Sequence, residues 1–206
     1  MDQKTFEKAI GLDYTLQGLY MDSEGRKADY PNYYKKALEK LAKEQKILSK
    51  RVKGSANYLK QRDRLSTLHL HIRNQRKDFL HKASRSLVNT YDLISIETLD
   101  LTEMAKTKHF RKSIYDTSYG TFTRYLEYKT KELGKTLIRI DKYYPSTKTC
   151  SACGRERDIK LSERTYVCKC GHVMDRDLNA AINIGVQGLI NYATKAYGTD
   201  AYSLVN

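Results

Sequence analysis

The stretch from Cys150 to Ile184 limits what this chain can become more than any other. It reads C-S-A-C-G, a polar segment, then Y-V-C-K-C-G-H-V-M-D-R-D-L-N-A-A-I-N-I. Cys150-x-x-Cys153-Gly154 and Cys168-x-Cys170-Gly171 are separated by 14 residues. Two such pairs, each in a tight turn with a glycine after it, suit four thiolates around one tetrahedral Zn²⁺. This is zinc-ribbon spacing, with the second pair one residue shorter than usual. Two disulfides or four free thiols are the alternatives, and the lack of a secretory signal favours metal. Four cysteines fill the site, so His172 is expected to be an exposed polar residue and not a ligand. A closed thiolate set is structural, with no position left open for substrate.

The chain leaves this knot directly into a helix opened by two aspartates, expected over about 175–190. Asp175 is placed as its N-cap. Asp177, Ala180, Ala181 and Ile184 share one face by 3 and 4 spacing. The small alanines would let that face sit close to a sheet. Asp13 follows the first strand-like run, and Glu97 ends the buried-strand pattern D-L-I-S-I-E. If Asp13, Glu97 and Asp177 converge, they suit two Mg²⁺ ions clamping a phosphodiester, roughly 3.5–4 Å apart. Taken singly, each acid reads equally as a turn residue or a helix cap.

Charge points the same way. The 206 residues carry 38 Lys and Arg against 24 Asp and Glu, a net +14. Residues 31–90 hold 16 basic and 4 acidic side chains, a local +12. Such a balance implies a polyanionic partner, most often nucleic acid, although a solvated basic surface needs none. Arg155, Arg157, Lys160, Arg164 and Lys169 add charge around the cysteines. The start M-D-Q-K-T-F-E-K has no apolar signal core, and no run approaches the ~18 apolar residues of a membrane span. A cytoplasmic location and no membrane partner are the expectation.

Along the chain, residues 9–20 read as two short strands, with a turn at Asp22–Gly25 and a possible third strand after it. Leu38, Leu41, Gln45, Leu48 and Val52 have helical spacing, broken at Gly54-Ser55. A second helix is expected over about 57–89, on the stripe Leu65, Leu68, Ile72, Phe79, Ala83 and Leu87. The two form an antiparallel hairpin with a basic surface. A strand over 92–97, a helix over about 121–133 capped by Gly134, and a strand over 136–140 follow. No pattern is read after Asn191. The order β-β-β-α-β-α-β-α gives an α/β fold with a mixed sheet.

K-Y-Y-P-S-T-K-T-C-S-A-C-G and C-K-C-G-H-V-M-D-R-D-L-N-A-A-I-N-I resemble the TnpB (OrfB) family of insertion-sequence transposon proteins. G-L-D-Y at 11–14, N-Q-R-K-D-F-L-H at 74–81, I-S-I-E at 94–97 and S-Y-G-T-F at 118–122 resemble further family segments. The resemblance implies a ribonuclease H-like (RuvC-like) nuclease related to the type V CRISPR effectors, with a basic helical hairpin and a zinc ribbon inserted. It implies division into a nuclease core over 1–144 with the hairpin at about 31–90, a ribbon over 145–174, and the last helix and tail over 175–206. Asp13, Glu97 and Asp177 would be the catalytic, Mg²⁺-binding acids. Asp177 is preferred to Asp175 because the related effectors carry the acid two residues before the asparagine, here Asn179. Cys150, Cys153, Cys168 and Cys170 would hold Zn²⁺.

The implied activity is RNA-guided cleavage of DNA in a bacterial or archaeal cytosol. The implied partners are DNA and a guide RNA. Family members usually carry a long region before the first catalytic strand, whereas Met1 stands eight residues ahead of it here. The nuclease centre is therefore expected whole and guided targeting is not. The alternatives are a non-catalytic nucleic-acid-binding fragment or, less well matched to the charge, a protein-binding adaptor. Tyr143 and Tyr144 are candidate base-stacking platforms, though packing is the commoner role of tyrosine.

Overall fold

The computed structural model describes residues 6–16, 18–160 and 162–197. Four strands make the central sheet: β1 (Ala9–Tyr14), β2 (Tyr20–Asp22), β3 (Leu93–Glu97) and β4 (Thr136–Ile140), in the order β2-β1-β3-β4. The β1–β2 pair is antiparallel, and the β1–β3 and β3–β4 pairs are parallel, so the sheet is mixed as expected. The third strand after Gly25 is reduced to a single bridge between Met21 and Lys27. Asp13 lies inside β1, not after it, so it is a strand residue and not a turn residue.

Strand alternation decides which side chains meet which helix. Ile10, Leu12, Ile94 and Ile96 point to one face and are essentially fully buried. They pack with Leu80, Leu87 and Val88 of α2 (Ala56–Thr90) and with Phe122 and Leu126 of α5 (Tyr119–Glu132). The opposite face carries Gly11, Asp13, Ser95 and Glu97, and α6 (Arg176–Tyr197) lies across it. This crossing is close at two places. A Cβ on Gly11 would stand 2.1 Å from the Ala181 carbonyl oxygen and 2.4 Å from the Gly185 nitrogen. A Cβ on Gly188 would stand 1.8 Å from Ser95 Oγ. Ala180, Ala181 and Ile184 are fully buried on the same helix. Glycine is thus required here for space, where the sequence reading credited the alanine pair alone.

The helical hairpin is α1 (Tyr33–Ser49) against α2, closed around Leu41, Leu65 and Ile72. Ser55 caps α2 by accepting from the Tyr58 N–H. Asn32 makes no side-chain cap for α1. That role falls to Asp116, which accepts from the N–H groups of Tyr34 and Lys35 and from the Tyr30 hydroxyl. Val52, assigned to the first helix by its spacing, lies beyond it and is 77% exposed.

The segment after Glu97 also departs from expectation. It forms α3 (Leu101–Lys106) and α4 (Lys108–Thr117), short helices that no long apolar period announces. Gly134 adopts φ +63 just past α5, as a C-terminal cap requires. α6 continues to Tyr197, through residues where no pattern was read. Among the described residues no helix is long and apolar enough to cross a membrane.

Candidate active site and metal centre

The four cysteines converge. Cys150 and Cys168 are buried, Cys153 and Cys170 are exposed, and all four are free thiols. Their Sγ atoms all lie within 4.8 Å of one another. Cys150 Sγ is 3.8 Å from Cys170 Sγ, and Cys153 Sγ is 3.7 Å from Cys168 Sγ. A tetrahedron with ~2.3 Å Zn–S bonds has an S–S edge of about 3.8 Å, so the set is shaped for a metal such as zinc. Beneath it a two-stranded sheet, β5 (Thr165–Val167) with β6 (Val173–Asp175), holds Tyr166 fully buried. The Tyr166 hydroxyl donates to the Lys148 carbonyl at 2.8 Å. His172 is half-buried, not exposed as expected, because its ring shares a 3.2 Å hydrogen bond with Ser151 Oγ.

The ribbon is stitched to α6 by two buried asparagines that the sequence reading gave no role. Asn179 accepts from the Ser151 N–H and donates to the Thr149 carbonyl. Asn183, one turn on, donates to the carbonyls of Ser146 and Thr149. Polar residues at i and i+4 inside an apolar helix were the available signal.

The acids are gathered by register. Gly11 pairs with Ser95 and Leu12 with Ile96 across the parallel β1–β3 ladder. The next residues, Asp13 and Glu97, therefore stand side by side at the strands' carboxyl ends, on the α6 face. Asp177 lies one helical turn before Ala181, the residue that crosses Gly11, which carries it over Asp13. Asp175 does cap this helix: its Oδ1 accepts from the N–H groups of Asp177 and Leu178.

Electrostatics records the crowding. Burial pushes the Asp13 carboxyl well above its usual range, and Glu97, Asp177 and Asp175 push it further, against a lowering pull from Arg176. Burial also raises Glu97, while the Ser146 hydroxyl, donating to Oε1 at 2.7 Å, lowers it. The Arg176 guanidinium pairs with Asp177 Oδ1 at 3.0 Å and donates to the Glu163 carbonyl in the ribbon. Among the described residues only the cysteines already bring three or more ligand atoms within metal-binding reach. Glu97 and Asp177 each act electrostatically on Asp13, but the three do not form such a close set.

Comparison with known proteins decides the lineage. Residues 2–108 match the OrfB_IS605 family, described as "Probable transposase", and residues 119–184 match the Cas12f1-like TNB domain. The chain belongs to the OrfB_IS605 (TnpB) family. It is 37% identical over 182 residues to a Streptomyces pristinaespiralis protein named "Putative RNA-guided DNA endonuclease", covering 88% of this chain and 45% of that one. Against the Escherichia coli K12 protein "Putative RNA-guided DNA endonuclease InsQ" the identity is 30% over 196 residues, covering 87% and 48%.

The fold of this OrfB_IS605 chain resembles that in a CRISPR-Cas12f ternary complex with a TM-score of 0.62 at 18% identity, over 90% of this chain and 40% of that one. The fold is therefore the RuvC-like α/β fold that the resemblance implied. The chain spans under half the length of these two curated relatives.

Proposed function

We propose that this chain is the nuclease module of an RNA-guided DNA endonuclease, with Asp13, Glu97 and Asp177 as the catalytic, Mg²⁺-holding acids. The observation that carries the reading is a buried carboxylate, Asp13, beside a half-buried one, Glu97, on parallel strands crossed by α6, which carries a third. Burial first, and then the charges of Glu97 and Asp177, raise the Asp13 carboxyl, so the three acids form a donor set that a hard divalent cation would relieve. Bound Mg²⁺ would supply an activated water and neutralise charge on a DNA phosphate during in-line displacement.

The chain's own groups set up that chemistry. Ser146 orients Glu97, Asp175 orders the first turn of α6, and Arg176 holds the Asp177 carboxylate, which with Asp13 and Glu97 would hold the cation. Cys150, Cys153, Cys168 and Cys170 would hold Zn²⁺ in a closed structural site that fixes the ribbon beside the acids. The division into core (1–144, hairpin at about 31–90), ribbon (145–174) and last helix with tail (175–206) belongs to the same proposal. DNA is the substrate, and the basic α1–α2 hairpin offers its phosphate-binding surface to DNA or to a guide RNA. The two relatives are about twice as long as this chain, and their additional chain is where we place guide recognition.

The test uses zinc-loaded protein, end-labelled single-stranded DNA and Mg²⁺, beside Asp177→Ala. Mg²⁺-dependent cleavage by the parent and none by the variant is the expected result. Equal cleavage by both, or none by either, refutes the assignment.

A further inference from the structure

β4 runs parallel to β3, with Glu97 paired to Ile140 in register. The chain beyond Ile140 therefore leaves the sheet at the end where Asp13 and Glu97 stand. It comes back to the same glutamate at Ser146, whose hydroxyl donates to Glu97 Oε1 at 2.7 Å. The loop 141–145 thus begins and ends at Glu97.

Hydrogen bonds order this loop throughout. Asp141 accepts from the Tyr143 N–H through Oδ1 at 2.7 Å and from the Tyr144 N–H through its carbonyl at 3.2 Å. Thr98 Oγ1 donates to the Ile140 carbonyl, and Asn183 of α6 donates to the Ser146 carbonyl. At the tip of so well-tied a turn, Tyr143 is 81% exposed. Packing, the commoner role of tyrosine, is therefore not its role. Lys142 is exposed beside it, with Nζ 5.4 Å from the centre of the Tyr143 ring.

A ring on a rigid support loses little conformational freedom when a flat partner lands on it. One aromatic face beside one cation is a small patch for docking a protein, but it matches a nucleotide. The base stacks on the ring and the backbone phosphate meets the charge. We propose that Tyr143 is a base-stacking platform for single-stranded nucleic acid, holding the nucleotide next to the phosphate presented to Asp13 and Glu97, with Lys142 on the adjoining backbone. Its place beside the cut rests on the reading of those acids as the nuclease centre, whereas stacking is measured without cleavage.

The chain has no tryptophan, so Tyr143→Trp introduces a single fluorescent reporter at the loop tip. Tyr115→Trp, at a 66% exposed position on α4, is the control. A thymidine oligonucleotide is titrated into the zinc-loaded full chain with Ca²⁺ replacing Mg²⁺. Quenching is expected in Tyr143→Trp and not in Tyr115→Trp. Tyr143→Ala should bind the oligonucleotide about 5–150-fold more weakly than wild type, and Tyr143→Phe much as wild type does, all at an unchanged melting point. Unweakened binding by Tyr143→Ala, or no quenching in Tyr143→Trp, overturns the platform. In Mg²⁺, an abasic residue beside the cut phosphate should raise KM for wild type but not for Tyr143→Ala. An equal rise in both overturns the placement of the platform beside the cut. Stacking with no Mg²⁺-dependent cleavage overturns the reading of the acids, and that placement with it, while the platform itself stands.

Discussion

Replacing Gly11 with alanine should be among the most damaging single-methyl additions this chain can receive. The new Cβ would lie 2.1 Å from the Ala181 oxygen, 2.4 Å from the Gly185 nitrogen and 2.7 Å from the Gly185 Cα. All three are backbone atoms of α6, so no rotamer change can relieve the clash. Ordinary contact returns only if strand and helix part by more than about 1 Å, which opens a close-packed interface along its length. Overpacking typically costs about 1–3 kcal/mol, and a clash confined to backbone belongs at the top of that range.

For a chain of this size about 3 kcal/mol corresponds to a melting point lower by roughly 6–12 °C. Calorimetry on the zinc-loaded protein reads this directly. Gly185→Ala is the internal comparison, since its Cβ comes no closer than 3.2 Å to Gly11 and should cost far less. A Gly11→Ala protein that melts within about 1 °C of wild type refutes the close crossing, and with it the mechanism that holds Asp177 above Asp13.

Three further outcomes follow from the same contacts. Gly188→Ala should destabilise by about 1–3 kcal/mol in chemical denaturation, because its Cβ meets the Ser95 side chain, and adding Ser95→Gly should recover most of the loss. Asp116→Ala removes the acceptor for two helix N–H groups, while the Tyr30 hydroxyl keeps its 2.6 Å bond to the backbone carbonyl of residue 116, so it should cost about 1–2 kcal/mol by the same assay. Cys168→Ser should lower bound zinc, measured by elemental analysis, and should expose residues around Ser146 and Thr149 to hydrogen exchange, since the Asn179 and Asn183 bonds depend on the ribbon staying in place.

The sheet and the cysteine knot were legible because each rests on a local pattern. Alternating strand residues around Ile10 and Ile94, and two cysteine pairs with their glycines, carry their meaning within a few positions. Asp13, Glu97 and Asp177 are proposed as the site acids through resemblance, whereas the side-by-side placement of Asp13 and Glu97 needed the strand register. Less local devices stayed hidden. Gly185 and Gly188 read as ordinary helix residues until the sheet is laid beneath them. Asp116 caps a helix more than 80 positions away in sequence. α3 and α4 are only 6 and 10 residues long, too short for a helical period to stand out in the sequence. His172 was misjudged because its partner, Ser151, lies on the opposite cysteine turn.

The account turns on three carboxylates from β1, β3 and α6 taking up a divalent cation together. A crystal of the zinc-loaded chain soaked in Mn²⁺, with anomalous data collected at the manganese and zinc edges, measures this directly. The account predicts a zinc peak among Cys150, Cys153, Cys168 and Cys170, and manganese in contact with Asp13, Glu97 and Asp177. A zinc peak at the cysteines with no manganese between the acids would contradict it.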